Sequence, residues 1–247
     1  MTQCYASKSL EGLNYRDRWG MVDYYDSLKH LVMFGMYRNK DYQVAFNHKS
    51  TITIVWTGSD SMDLNNGWVT FLKSKHIKHI SISHWITEDL KKVGIKSKFY
   101  PVHACDNIKS VIPRGDFIHF YSSDESPESA EHYGEQMIGE IISKTGLNVI
   151  RTAHGLYNKF QMQEIYKKCF INLRLTTHDG CPNTNLEMGL MGRRSIFNGN
   201  LPHSIKWNSV DDVCESIWNE YNIREKYNGF IANDIHNFLN IPNEIFL

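Results

Sequence analysis

One stretch concentrates residue types that can do chemistry together. It reads Arg174-Leu-Thr-Thr-His178-Asp179-Gly180-Cys-Pro-Asn183-Thr184-Asn185-Leu-Glu187-Met-Gly189-Leu-Met-Gly192. It leaves an apolar run, Cys169–Leu175, crosses a Gly/Pro loop and enters a helical pattern over Asn183–Met191. Asp179 lies in the loop and Glu187 about one turn into the helix, so both carboxylates can face one cleft. Asn183, Thr184 and Asn185 supply the helix N-terminus, whose free N–H groups and dipole suit a phosphate. A helical carboxylate nearby can accept two ribose hydroxyls. Arg174, at the strand end, requires an anion if buried, either a carboxylate or a phosphate. His178 is either a donor to a bound sugar or a surface loop residue. Asp179 before Gly180 also fits a simple turn. Gly189 and Gly192 allow a neighbouring backbone to approach closely. Tyr157, upstream, is either a stacking platform for a base or a plain loop aromatic.

A second cluster follows the β-branched run Thr51–Trp56. It is Trp56-Thr57-Gly58-Ser59-Asp60, preceded by Phe34-Gly35-Met-Tyr37 at the end of another apolar run. Asp60 either caps the next helix or handles an acceptor hydroxyl, as a binding group or a base. Trp56 is either core or a stacking platform.

The elements that must position these residues alternate. Strand-like runs are expected at Leu31–Tyr37, Thr51–Trp56, Ile77–Ile82, Lys98–Val102, Asp116–Tyr121, Asn148–Arg151, Cys169–Leu175 and Ser195–Asn198. Helices are expected at Trp68–Ser74, Thr87–Val93 with Thr87 as N-cap, Ser126–Ile142, Lys159–Lys168, Asn183–Met191, Val210–Glu220 and Tyr227–Leu239. The first twenty residues show no clear period. Strands alternating with helices at short spacing imply parallel sheets with helical crossovers. Such sheets bind ligands at the carboxyl ends of their strands. Polar residues, Pro113 and Gly115 make 103–116 the expected linker. The expected architecture is α/β, with two Rossmann-like lobes spanning 1–110 and 111–247. The terminal helices either stay with the second lobe or pack back on the first.

Composition bounds the function. The 247 residues are 41% apolar and 22% charged, which fits a globular fold with a core and excludes a disordered chain. No apolar run reaches membrane-spanning length, and the first residues lack a signal-peptide pattern. Five cysteines without a CxxC pair argue against a disulfide scaffold or a zinc knuckle, and a cytoplasmic setting is expected. The zero net charge conceals an asymmetry: residues 1–100 carry 14 Lys and Arg against 9 Asp and Glu, hence +5, and the remainder −5. The first half is thus either a solvated basic surface or a face for a polyanion. The twelve histidines form no HExxH, and His76 and His79, flanked by lysines, read as surface. GxSxG, Walker A, GxGxxG and DxD patterns are absent, so no metal or resident cofactor is expected.

The stretch from Asp179 to Glu187 resembles the acid–seven residues–Glu signature of the donor-binding half of GT-B glycosyltransferases, especially the retaining class. Here Asp179 stands where the family usually has Glu. The resemblance implies that Glu187 binds the ribose of a nucleotide sugar and that Asp179 contacts the sugar being transferred. It covers roughly residues 116–220. Trp56-Thr-Gly58-Ser59-Asp60 similarly resembles a W-x-G-[ST]-D turn of some bacterial and viral members. The stretch Ser81–Tyr100 resembles the strand–helix–strand closing their acceptor lobe. Together they imply a shortened acceptor lobe, with Tyr37, Trp56, Gly58, Ser59 and Asp60 facing the acceptor. Arg174, Asn183, Thr184, Asn185 and Tyr157 would join Glu187 on the donor, and Asp60, Asp179 and His178 would act in the chemistry. The family's basic residues for the diphosphate are missing after the first strand of the second lobe, which reads Tyr121-Ser-Ser-Asp124-Glu125. Arg174, Arg151 or Lys159 would substitute.

The expected function is therefore metal-independent transfer of a hexose or pentose from a nucleotide diphosphate sugar, UDP-linked, to an acceptor hydroxyl. The richness in Asn, Lys and Ile resembles that of proteins from AT-rich genomes, including large phages and viruses. Small glycosyltransferases there modify hydroxymethylated pyrimidines in DNA, and the basic first half suits such a polyanion; the setting is then the host cytoplasm. The alternatives are an enzyme of lipopolysaccharide or other glycan assembly, and a non-catalytic nucleotide- or DNA-binding protein.

Overall fold

The computed structural model describes residues 2–247 except 11–12, 63, 65, 104, 106–107, 109–114, 124–125, 154, 177–178 and 227. The chain divides into two compact units. One comprises 1–106 with 239–247, and the other 107–238. Most of the expected linker, like His178, lies outside the described residues; Cys105 and Ile108 within it are buried.

In chain order the first unit contains β1 (Gln3–Ala6), α1 (Tyr15–Arg18), β2 (Val22–Asp23), β3 (Leu31–Phe34), α2 (Asn39–Asn47), β4 (Ile52–Trp56), α3 (Asn66–Leu72), β5 (Ile77–Ser81), α4 (His84–Lys92) and β6 (Lys98–Phe99). Its sheet is parallel throughout, in the order β2-β1-β3-β4-β5-β6. Every residue of β3 and β4 is buried. A parallel sheet covered on both faces needs such uninterrupted apolar strands. The segment 239–247 completes this unit. Phe246 meets Trp19 and Phe34 edge-on at 5.1 and 6.1 Å, and its carbonyl accepts from Thr53 Oγ1 at 3.0 Å.

The second unit contains β7 (Phe117–Tyr121), α5 (Pro127–His132), α6 (Glu135–Thr145), β8 (Val149–Thr152), α7 (Lys159–Lys167), β9 (Cys169–Leu173), α8 (Asn183–Leu190), β10 (Ser195–Ile196), β11 (Ser204–Ile205), α9 (Val210–Asn222) and α10 (Gly229–Leu239). Its parallel sheet runs β11-β10-β9-β7-β8. Ile118, Phe120, Phe170, Ile171 and Leu173 pack with Ile138, Ile141, Val213 and Ile217 of α6 and α9 in one core. Gly189 lets α8 close on α10, because a Cβ there would stand 2.8 Å from Ile235 Cγ1. Among the described residues no helix is long and apolar enough to cross a membrane.

Three expectations change. The helix expected over Ser126–Ile142 is two helices. Ser126 caps the first, accepting from Ser129 N at 3.1 Å with Pro127 in the first turn, but Gly134 adopts φ +82° and ends it. The helix expected from Thr87 begins at His84. Its cap is Ser83, whose hydroxyl accepts from Ile86 N at 3.2 Å, while Thr87 Oγ1 bonds to Ser81 Oγ. The featureless first twenty residues hold β1, hydrogen-bonded between β2 and β3.

Candidate functional site

Each sheet reverses its strand order at one point. In the first unit the chain steps from β1 outward to β2, then returns to the other side as β3. In the second it steps from β7 to β8 and returns as β9. Open α/β sheets bind ligands at the carboxyl ends of strands flanking such a reversal. The residues following β1 and β3, and those following β7 and β9, therefore stand where such sheets hold their ligands.

In the second unit that position is held by Arg174, one residue beyond β9. Its side chain is only 9% exposed. Nε and Nη2 both reach Asp179 Oδ2, at 2.7 and 2.5 Å. The guanidinium lies between the rings of Tyr121, the last residue of β7, and Tyr133, each centroid 4.4 Å away. The anion that Arg174 meets is thus the carboxylate five residues downstream. Asp179 Oδ1 also accepts from Gly180 N at 2.6 Å, which bends the loop toward α8. Pro182 precedes α8 without a side-chain cap, so the first N–H groups of the helix depend on the loop or on a ligand.

Within α8 the expected residues diverge. Asn183 and Thr184 are half-buried at its start. Asn185 is buried and its Oδ1 accepts from Asn172 Nδ2 at 2.7 Å, while its own Nδ2 has no partner among the described residues; nor has the buried hydroxyl of Thr176, at the loop entrance. Such orphans are rare in folded proteins and mark places where a further group is expected. Glu187 is half-buried, and its Oε2 accepts from Tyr166 Oη at 2.7 Å. Tyr157, in the loop before α7, is 39% exposed.

Behind this loop runs a buried polar line across the sheet. His119 of β7 bonds through Nδ1 to Asn172 Oδ1 (2.6 Å) and through Nε2 to Thr152 Oγ1 (2.9 Å). Asn172 Nδ2 donates to Asn185 Oδ1 and to Ser195 Oγ, at 2.7 and 2.9 Å. Because the Asn172 amide donates to both, its oxygen must accept, so His119 carries its proton on Nδ1 and takes one from Thr152 at Nε2. Burial pushes the His119 pKa down to about 4, so the ring is neutral. The line links β8, β7, β9 and β10 to the start of α8. Sequence reasoning missed it, and it missed Tyr166. The available signal was one polar residue inside each of two apolar strands, FIHFY and CFINL.

In the first unit Asp60 is the centre. It is buried at the carboxyl end of β4, in the short 3-10 turn Ser59–Ser61. Oδ2 accepts from Met36 N at 3.0 Å, and Oδ1 accepts from Gly58 N and Thr57 N at 2.9 and 3.2 Å. One carboxyl thus ties the end of β3 to the end of β4. Burial raises its pKa to about 7, outweighing the N–H groups, which favour the anion. A pocket of about 240 Å³ opens beside it, lined by Tyr37, Arg38, Ser59, Asp60 and Trp68 among others. Tyr37 Oη lies 3.0 Å from Thr57 Oγ1, and a Cβ on Gly58 would press on that Oη at 2.9 Å. The structure therefore gathers Tyr37, Ser59 and Asp60 at one pocket, with Gly58 behind them.

Two expectations are corrected here. Trp56 cannot be a platform: it is fully buried, and its Nε1 donates to His79 Nδ1 at 3.1 Å. His79 is not a surface residue but a buried one, held by Leu72 O through Nε2 at 2.8 Å and pushed by burial to a pKa of about 4. His76 is exposed as expected. All five cysteines are buried and free, and among the described residues no group of three or more His, Cys, Asp or Glu could hold a metal ion.

No protein-family model matches the sequence, and no curated protein does. Solved structures do resemble it. A point variant of S. aureus TarM, in complex with fondaparinux, α-GlcNAc-glycerol and UDP, aligns over 95% of this chain with a TM-score of 0.63 and 9% identity. A second TarM structure aligns over 95% with a TM-score of 0.64 and 10% identity. The apo lipopolysaccharide outer core galactosyltransferase WaaB aligns over 87% with a TM-score of 0.58 and 14% identity. The chain spans little more than half of each TarM chain, 56% and 55%, and 72% of WaaB. Two parallel α/β units with such neighbours give this chain the Rossmann-like, two-lobed architecture of the GT-B glycosyltransferases.

Proposed function

We propose that the protein is a glycosyltransferase that takes a sugar from UDP and delivers it to an acceptor hydroxyl. The observation that carries this reading is the β9–α8 crossover of the second unit. There Arg174 and Asp179 lie at the strand reversal, α8 begins without a side-chain cap, and Glu187 is held by Tyr166 within the helix. The shared fold supports it, and UDP is bound in one of the TarM structures. The free N–H groups of α8 suit a diphosphate, Arg174 holds Asp179 beside them, and Glu187 suits the ribose hydroxyls. In the transfer the acceptor oxygen forms the bond to the anomeric carbon and the bond to the diphosphate oxygen breaks. The electron pair leaves with UDP, and the hydroxyl proton ends on the released nucleotide. Charge growing on the diphosphate is stabilised by the start of α8. Asp179 contacts the transferred sugar, and Asp60 binds the acceptor hydroxyl in the first unit.

Calorimetric titration with UDP, GDP, ADP and CMP tests the reading. Micromolar UDP binding is expected, and Glu187→Ala should weaken it at least tenfold while leaving the thermal midpoint within a few degrees. A folded wild-type sample that binds none of the nucleotides would sink the proposal and bring forward a protein that shares only the architecture.

A further inference from the structure

The strand reversal of the first unit holds a cation cluster. Lys8 stands two residues beyond β1, Arg38 precedes α2, and Lys40 stands in the first turn of that helix. All three line one pocket of about 370 Å³, together with Ser7 and Asp41. Arg38 also lines the neighbouring pocket that contains Asp60. β1 and β3 are hydrogen-bonded neighbours, Ala6 opposite Phe34, so the cations come from the carboxyl ends of the two strands where the order reverses.

Among the described residues no ion pair balances these charges. Asp41 is 1% exposed and turned inward: Oδ1 accepts from Tyr5 Oη at 2.8 Å, and Oδ2 from Ser7 Oγ and Arg38 N at 2.7 and 2.9 Å. Among the described residues no ion pair involves the side chains of Lys8, Arg38 or Lys40, and all three are exposed. Arg38 and Lys40 moreover stand at the helix end that disfavours cations. Three cations against one acid leave the lining of this pocket with an excess of positive charge. An anionic ligand reverses the balance, and a multiply charged one with several oxygens suits a pocket lined by one guanidinium and two ammonium side chains.

We infer that the acceptor carries a phosphate ester, which docks on Lys8, Arg38 and Lys40 while its hydroxyl enters the pocket beside Asp60. The acceptor role rests on the transferase reading; the phosphate site rests on the cation geometry alone. The source of the phosphate is either a small sugar or polyol phosphate or the backbone of a nucleic acid, and the two are separable.

The test uses the full chain, wild type beside Arg38→Gln/Lys40→Gln and beside Lys8→Gln, each checked for folding by circular dichroism. Glycerol 3-phosphate is titrated and followed by phosphorus NMR, with glycerol as the uncharged control, and binding is also measured for a DNA duplex containing hydroxymethylcytosine. Wild type should bind glycerol 3-phosphate and not glycerol, and the double variant should bind it about tenfold more weakly. Tighter DNA binding that falls steeply with salt and is lost in the same variant assigns the phosphate to nucleic acid. Equal binding by wild type and double variant, or binding of neither phosphate probe by wild type, overturns the inference. UDP is titrated in parallel. If UDP does not bind while the phosphate does, the transferase reading and the acceptor role fall and the anion site stands. If UDP binds and the charge variants change nothing, only the inference falls.

Discussion

Asp60 shows how a single side chain can both tie a fold together and line a pocket. Its carboxyl ties the ends of two core strands together and lines the pocket beside them, with a pKa of about 7. In the unfolded chain the same group ionises near its ordinary value, around 4. Between about pH 4 and pH 7 the folded state therefore holds more protons than the unfolded one, and stability from this group falls as pH rises. Asp60→Asn removes that dependence and adds an NH2 group facing backbone donors. The variant should be less stable than wild type, and the deficit should be larger at pH 5 than at pH 7. Urea unfolding at the two pH values measures it; a deficit that is constant or grows toward pH 7 would count against a buried acid with a raised pKa. The residue scale also shows what a sequence reveals. Asp179 and Glu187 stood out by spacing, because both lie on one contiguous strand–loop–helix. Tyr166 did not, because its partner lies 21 positions away and only the packing of α7 against β9 brings them together.

At the scale of elements, legibility followed burial. β4 was readable because all five of its residues are apolar or β-branched and buried. β1 was not, since its first residue is a buried glutamine. Gln3 spends its amide on the loop beyond β2, accepting from Tyr25 N and Asp26 N and donating to Asp26 O and Lys29 O. No local pattern reports such a bond. α2 was missed because NKDYQVAFN has little apolar period; its start is fixed by Asp41 reaching back to Arg38 N. The polar line through His119 and Asn172 is the element-scale device most open to test. Asn172→Leu leaves His119 Nδ1, Asn185 Oδ1 and Ser195 Oγ without their partner. It should cost about 3 kcal/mol or more, because each of the three buried polar groups left unpaired costs roughly 1–3 kcal/mol. Since Asn185 lies in the first turn of α8, UDP binding should weaken as well. Ser83→Ala removes only a cap in the other unit. It should cost about 1 kcal/mol and leave UDP binding unchanged. Unfolding curves and UDP titrations of the two variants separate a structural loss from one that reaches the site.

For the whole molecule, buried neutral histidines set the acid limit. His79, His103 and His119 all have pKa values pushed down to about 4, chiefly by burial. The unfolded chain takes up protons on them from about pH 6.5 downward, whereas the folded chain does not, so stability falls as pH drops from about 6.5 toward 4. Each group contributes up to about 1.4 kcal/mol per pH unit in that window. Three histidines outweigh the opposite trend of Asp60. The thermal midpoint should therefore decline between pH 7 and pH 5, and a midpoint that rises would overturn the neutral assignment. The charge asymmetry of the sequence belongs to this scale too. Composition gave the sign of the first hundred residues, but only the strand reversal singles out Lys8, Arg38 and Lys40 from the other cations.

The return of residues 239–247 to the first unit has a consequence in time. A ribosome emits the chain from its N-terminus, and domains ordinarily complete themselves in that order. Here the opening unit still lacks Phe246 when all of 107–238 has already been made. The later unit can finish first, and the earlier one waits for its last piece with the places for Phe246 beside Trp19 and Phe34 unfilled. A nascent chain stalled short of residue 239 would thus pair a finished second half with an unfinished first. Whatever sequesters sticky nascent surfaces would find its target in residues 1–106, upstream of the finished unit.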